Sequence, residues 1–214
     1  RADEPLTTLL AASLTESNYE EQLLGTLSDG EVIAGAFERA SGGTLVIDEL
    51  TDLSLSAQRV LFGVLESGSF TPIGGTSPAR LDARIVATIA PDYEARIEAG
   101  ELRRDLVSHL SELMLRVPPL REYAEDVPEL LTYYVDKLVD AEGLTFRRFS
   151  VAAQNRLRHY PWPDNVRELK NLVRRLLLSG KSSDIALDEV EAEISAAGPT
   201  GEPLVKQDLL ALPL

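Results

Sequence analysis

Residues 43 to 49, Gly-Thr-Leu-Val-Ile-Asp-Glu, constrain the fold more than any other stretch. Leu45, Val46 and Ile47 make an apolar run of strand length that starts after the Gly42-Gly43 pair and stops on two adjacent carboxylates, Asp48 and Glu49. Such a run reads as a buried strand of an open parallel sheet. At its acidic end a first carboxylate can reach Mg²⁺ beside phosphates, and a second can polarise a water. Taken alone, the pattern fits equally well a core strand running into an acidic turn.

The flanking segments supply the rest of a sheet domain. Leu6 to Ala12 reads as a strand, and residues 16 to 24 as a short helix with Thr15 or Ser17 as N-cap. A Gly-rich connection through Gly25, Gly30 and Gly35 leads to Phe37. After Glu49, Leu53, Ala57, Val60, Leu61, Val64 and Leu65 recur at helical spacing. Residues 69 to 82 suggest a hairpin turning at Gly74-Gly75, and Ala83 to Ala90 a second buried strand ended by Pro91. Helices near 92–99 and 102–110, separated by Gly100, and a strand at 112–117 continue the alternation. Strands interleaved with helices predict a three-layer αβα domain with a mainly parallel sheet.

Pro118-Pro119 ends that pattern, because neither residue can donate to a ladder and the first disfavours helix before it. Beyond it the apolar stripes are helical: Val127 to Val139, Val151 with Leu157, and Val166 to Leu177. The expected division is an α/β subdomain over 1–119, a small all-helical subdomain over 120–180, and a last segment over 181–214. That segment carries a short strand at 185–187, a helix near 188–196 and a linker marked by Gly198, Pro199, Gly201 and Pro203.

A formal net charge of -14 argues against the chain as a whole being a nucleic-acid binder, since Lys and Arg supply most of that affinity. The charge is uneven. Arg147, Arg148, Arg156, Arg158, Arg167, Lys170, Arg174 and Arg175 form a basic stretch with few acids among them, readable as a solvated helix face or as an anion site. With no cysteine, disulfides, thiolate metal sites and a cysteine nucleophile are excluded, and a reducing cytoplasm is the default location. Neither a signal peptide nor an apolar run of membrane-spanning length is readable.

Three stretches in order make the reading specific: Gly35 to Leu50 (Gly-Ala-Phe-Glu-Arg-Ala-Ser-Gly-Gly-Thr-Leu-Val-Ile-Asp-Glu-Leu), Val117 to Glu122 (Val-Pro-Pro-Leu-Arg-Glu), and Tyr160 to Asn171 (Tyr-Pro-Trp-Pro-Asp-Asn-Val-Arg-Glu-Leu-Lys-Asn). Together they resemble the AAA+ domain of the bacterial enhancer-binding proteins that activate sigma-54 RNA polymerase, over roughly residues 5 to 195. The resemblance implies an AAA+ core, its N-terminal portion missing here, followed by a helical lid. It also implies that Asp48 and Glu49 are the Walker B pair, with Asp48 on the metal and Glu49 orienting the attacking water. Arg167 matches the sensor II arginine that reaches the γ-phosphate, and Arg103, in Leu-Arg-Arg-Asp-Leu, the arginine finger given to a neighbouring subunit.

Departures from the family pattern shape the functional expectation. No Gly-x-x-x-x-Gly-Lys-Ser/Thr occurs; in the family that loop lies just upstream of these residues, so truncation is the preferred explanation. The Gly-Ala-Phe-Thr-Gly-Ala contact loop is also missing, because Gly25 is followed by a shortened segment that reaches Gly35-Ala36-Phe37, and this shortening is similar to the NtrX response regulators. Ile89-Ala90 stand where a polar sensor I residue is usual, with Thr88 one position early. His109 replaces a second finger arginine, and Asp164 replaces the usual glycine before Asn165.

The resemblance therefore implies the central module of an NtrX-like two-component regulator. Such a module binds ATP or ADP with Mg²⁺ in the complete domain to control oligomerisation, with weak or no hydrolysis; the fragment itself is expected to hold none. Alternatives are an active sigma-54 activator ATPase and a non-catalytic dimerisation domain with a vestigial nucleotide site. Expected partners are further copies of the chain in a dimer or ring, and RNA polymerase through something other than the missing loop. DNA through a C-terminal domain and a sensor histidine kinase through an N-terminal receiver complete the set, with no membrane. The tail Gln207 to Leu214 is expected to pack on a neighbour or on the lid.

Overall fold

The apolar run after Gly43 forms the central strand of a parallel sheet, and that sheet belongs to the first of two units. The computed structural model describes residues 4–28, 31–180 and 182–197; its units are Arg1–Leu115 and Arg116–Leu214. In the first, β1 (Leu6–Leu10), α1 (Tyr19–Leu24), β2 (Gly25–Ser28), β3 (Glu31–Ala34), one-turn α2 (Ala36–Arg39) and β4 (Thr44–Asp48) follow in order. Then come α3 (Leu55–Ser67), β5 (Ser69–Phe70), β6 (Ala79–Arg80), β7 (Arg84–Ala87), α4 (Tyr93–Glu98) and α5 (Arg104–Leu110). β4 lies between β1 and β7, parallel to both, with Leu10 opposite Asp48 and Ile47 opposite Ala87.

Burial alternates along these strands, as the two-residue side-chain period requires. Leu9, Leu45 and Ile47 lie in one cluster with Leu23 of α1, Phe37 of α2, Leu61 of α3 and Leu106 of α5. The other face carries exposed Leu6 and Leu10 and the half-covered Val46 and Asp48. The expectation of a buried strand over 83–90 is corrected by β7, which is four residues long and leaves Val86 40% exposed. At the sheet edge, among the described residues, it is paired on one side only.

Three further expectations change. Glu112 to Val117 forms no strand, and Leu113, Leu115 and Val117 are exposed; apolar alternation without a ladder partner has nothing to hold it extended. The helix expected from residue 16 begins at Tyr19, and neither Thr15 nor Ser17 caps it. Instead the Thr15 amide donates to Asn18 Oδ1 at 2.7 Å and the Thr15 and Ser17 hydroxyls pair at 2.9 Å, closing the preceding turn. The Gly-rich connection is an antiparallel hairpin, β2 with β3, pinched at its base by Gly25 and Gly35. Gly25 has a φ of +79°, and a Cβ on Gly35 would lie 2.3 Å from the Gly25 nitrogen, so only two glycines permit that approach.

The second unit opens with a turn of 3-10 helix (Leu120–Asp126), followed by α6 (Val127–Glu142), β8 (Arg148–Phe149), α7 (Val151–Arg158), α8 (Asn165–Ser179), β9 (Asp184–Ile185) and α9 (Leu187–Ala197). The helical bundle is as the stripes predicted, with Leu131, Val135, Leu157, Leu169 and Leu176 around a fully buried Trp162. It is not purely helical: β8 and β9 form a two-residue parallel ladder, starting one residue before the strand expected at 185. Among the described residues no helix is long and apolar enough to cross a membrane. The tail from Gln207 to Leu214, and the packing expected of it, lie outside the described residues.

Candidate functional site

At the end of β4 the backbone turns sharply. Glu49 takes a left-handed conformation (φ 59°, ψ 63°), uncommon for a non-glycine residue. Thr88, one residue beyond β7, holds this turn from the neighbouring strand. Its hydroxyl donates to Asp48 Oδ1 at 2.8 Å and accepts from the Glu49 amide at 2.8 Å. Its own amide donates to the Ile47 carbonyl and its carbonyl accepts from the Leu50 amide, both at 2.9 Å. Asp48 is half-buried and Glu49 exposed, so the sheet end presents one oriented carboxylate and one that is open to solvent. Ile89 packs against the core, and the hydroxyl on the carboxylate comes from Thr88, one position earlier.

Mg²⁺ at such sites keeps several waters and takes one or two carboxylates, with phosphates completing its octahedron. Asp48 fits that limited demand. Thr88 occupies only Oδ1, which leaves the second carboxylate oxygen for a cation. Among the described residues no cluster of three or more acidic, His or Cys side chains offers a fuller metal site. No Gly-x-x-x-x-Gly-Lys-Ser/Thr phosphate loop occurs in this sequence to stand beside these carboxylates.

Arg103 lies at the N-cap of α5 in the same unit. Its guanidinium donates from Nε to Asp105 Oδ1 at 3.0 Å and from Nη2 to the other oxygen, and sits 5.5 Å from the Phe62 ring centroid. The hydrogen bond from Arg103 is the largest influence holding the Asp105 carboxyl below its ordinary range, so both partners are charged at neutral pH. His109 packs edge-on against the same Phe62 ring, with centroids 6.1 Å apart. Phe62, Arg103, Arg104, Asp105, Ser108 and His109 line an open basin of about 860 Å³.

Arg167 belongs to the second unit, in the first turn of α8, where it is exposed and makes no ion pair among the described residues. The turn before it is unusual, since Trp162 (φ 48°) and Asn165 (φ 52°) are both left-handed. Trp162 donates its indole N–H to the Leu157 carbonyl at 3.0 Å, and Asn165 Oδ1 accepts the Leu120 amide at 2.8 Å. Glu168 accepts from the Tyr160 hydroxyl at 2.9 Å and from the Asp164 amide at 3.2 Å. Burial first, and Glu168 next, raise the Tyr160 hydroxyl above its ordinary value, which keeps it a donor. Replacing Asn165 by Ala is expected to cost about 2 kcal/mol, from an orphaned Leu120 amide and a disfavoured backbone. Asn165→Gly should recover the backbone part alone; equal urea midpoints for Asn165→Ala and the parent chain would contradict this.

Most of the rest of the basic stretch is paired. Six of its eight cations pair with acids of the same unit: Arg147 with Glu189, Arg148 with Asp184, Arg156 with Glu191, Arg158 with Glu125, Arg174 with Glu142 and Arg175 with Glu193. All six partners lie outside the stretch, which is why it looked unpaired. Arg167 and Lys170 are left as its free charges among the described residues. Sequence reasoning also passed over Gln58, Asp105 and the bonding of Thr88. Gln58 left a signal, as a polar residue three positions before Leu61 on the buried stripe of α3.

The Sigma-54 interaction domain family matches residues 1–116, and the AAA+ ATPase lid domain family matches residues 121–207. The DNA-binding transcriptional regulator NtrC of Azospirillum brasilense is 39% identical over 95% of this chain and 43% of its own length. Crystal structures of NtrX from Brucella abortus superpose with a TM-score of 0.82 in complex with ADP (33% identity, 91% of this chain, 45% of that one) and 0.82 in complex with ATP (34%, 91% and 46%). The chain spans less than half the length of the relatives it matches.

Proposed function

Because this chain belongs to the Sigma-54 interaction domain family and carries an AAA+ lid, we propose that it is the central nucleotide-responsive module of an NtrX-like transcriptional regulator. In that role Asp48 holds Mg²⁺, Glu49 orients water, Arg167 reaches the γ-phosphate, and Arg103 serves the site of a neighbouring subunit. ATP or ADP then controls self-association, and hydrolysis is slow or absent. The single observation that carries the reading is the Thr88 hydroxyl locked onto both members of the Asp48-Glu49 pair. The ATP and ADP complexes of the Brucella abortus relative support nucleotide binding.

Slow hydrolysis is favoured by His109 in place of a second finger and by Ile89-Ala90 in place of a polar sensor I residue. The β2–β3 hairpin, which takes the place of the family's contact loop, lacks its Gly-Ala-Phe-Thr-Gly-Ala sequence. Any contact with sigma-54 polymerase then runs through another surface. DNA and sensor-kinase contacts belong to further domains of a cytoplasmic regulator. A second reading, an active ATPase, draws on the same Thr88 bond, because an oriented Walker B carboxylate also suits turnover.

Measuring ATP turnover in the complete regulator separates the two. The expected rate lies below about 1 s⁻¹, the slow end of ordinary enzymes, with Glu49→Gln changing it by less than about tenfold and leaving binding of a fluorescent ATP intact. A faster rate that falls by about a hundredfold or more in Glu49→Gln would establish the active enzyme instead. Absence of ATP binding would leave the vestigial dimerisation domain.

A further inference from the structure

α3 buries a polar side chain in the middle of its apolar face. Gln58 is 0% exposed, between Ala57 and Leu61, which are equally buried. An amide placed there costs free energy unless every group finds a partner. It does: Nε2 donates to the Leu53 carbonyl at 2.8 Å and to the Glu101 carbonyl at 2.9 Å, and Oε1 accepts from the Arg103 amide at 2.9 Å.

These three bonds join places that matter to one another. Leu53 ends the 3-10 turn that leaves Glu49, so its carbonyl reports the position of the carboxylate corner. Glu101 and Arg103 flank Leu102, itself 2% exposed, and Arg103 is the N-cap whose amide α5 cannot satisfy within its own turns. An apolar residue of the same length would pack as well and leave two carbonyls and one amide without partners. One side chain thus fixes the backbone of Arg103 at a set distance from the segment that follows Asp48 and Glu49.

We propose that Gln58 is the positioning residue for Arg103, coupling the arginine offered to a neighbouring subunit to the carboxylate corner of its own subunit. The proposal rests on the reading of Arg103 as a trans-acting arginine. Gln58 touches neither nucleotide nor metal, and it acts through the Arg103 main chain. A shift of the corner on metal–nucleotide binding passes through the Leu53 carbonyl to Gln58 and on to the Arg103 amide. A misplacement of about 1 Å in such a group is enough to cost up to a hundredfold.

The test compares Gln58→Met, Arg103→Ala and the double variant in the complete regulator. ATP affinity is measured by fluorescence, ATP-dependent self-association by sedimentation, and exchange of the Arg103 amide by NMR or mass spectrometry. Gln58→Met is expected to bind ATP within about twofold of the parent, to need roughly tenfold more protein to self-associate, and to expose the Arg103 amide to exchange. The double variant should be no worse than Arg103→Ala, because both changes remove one function.

Normal self-association in Gln58→Met beside a defect in Arg103→Ala overturns the assignment of Gln58 alone, as do multiplying defects in the double variant. Parent-like self-association and turnover in Arg103→Ala overturn the trans-acting reading and the proposal with it. If Gln58→Met does not fold, Gln58→Asn keeps a neutral amide one methylene shorter, out of reach of the Arg103 amide. It is then expected to expose that amide and weaken self-association by about threefold or more with ATP affinity intact, and normal self-association beside an exposed Arg103 amide overturns the proposal.

Discussion

Arg147→Ala is expected to destabilise the helical unit by about 3 kcal/mol, the lower end for breaking a buried ion pair, since Glu189 is itself 30% exposed. The side chain is 1% exposed. Its Nε donates to the Ser182 carbonyl at 2.6 Å, Nη1 to the Leu176 carbonyl at 2.6 Å, and Nη2 to the Asp184 carbonyl at 3.0 Å and to both oxygens of Glu189 at 2.9 and 2.8 Å. One guanidinium therefore ties the end of α8, the return into β9 and the first turn of α9 into one body. Truncation orphans those carbonyls and leaves Glu189 without its cation.

For a unit of this size the loss corresponds to a melting temperature lower by on the order of 15 °C or more. Calorimetry on the parent and on Arg147→Ala and Arg147→Lys checks it. The ammonium is a point charge that cannot serve a fork of separated acceptors, so Arg147→Lys should recover less than half. A loss below about 1 kcal/mol in Arg147→Ala would mean that these bonds merely replace equivalent ones to water.

The second large effect concerns the start of β4. A Cβ on Gly43 would fall 2.0 Å from the Pro5 carbonyl oxygen and 2.8 and 2.9 Å from its carbon and nitrogen. These are main-chain atoms of the segment entering β1, where the Thr44 amide donates to that same Pro5 carbonyl at 2.9 Å. Neither strand can retreat without parting the ladder that runs from Leu6 opposite Thr44 to Leu10 opposite Asp48. Gly43→Ala is therefore expected to cost about 3 kcal/mol, at the upper end of overpacking penalties.

Gly63→Ala is the matching control. Gly63 lies exposed inside α3 with nothing within 4 Å of the added methyl, and the change should stabilise by about 0.5–1 kcal/mol. Urea denaturation followed by circular dichroism measures both. Gly43→Ala unfolding at the parent midpoint would show that the β1–β4 approach yields more easily than its geometry implies.

Much of this protein was legible in the sequence where local chemistry decides the outcome. The Leu45-Val46-Ile47 run, the stripe from Ala57 to Val64 and the stripes of α6 and α8 announced their elements, because burial of one face imposes a period that survives in the residue order. The carboxylate pair and the Trp-Pro-Asp-Asn-Val-Arg turn were visible as motifs. Strand edges were not. Nothing in Glu112 to Val117 distinguishes a strand with a partner from the exposed segment observed, and a Gly-rich stretch does not show that its ends will pair as β2 and β3.

The sequence by itself determined the α/β unit followed by a helical one, the family, and the identities of Asp48, Glu49, Arg103 and Arg167 as candidate site residues. Tertiary structure alone decided what those residues touch. Thr88 lies 40 positions from Asp48, and Gln58 lies 45 from Arg103. The acids that neutralise the basic stretch stand up to 42 residues from their partners. Hydrogen bonds and ion pairs act over a few ångströms, and proximity on that scale is set by the register of β4 with β7 and the packing of α3 on α5, which no single segment encodes.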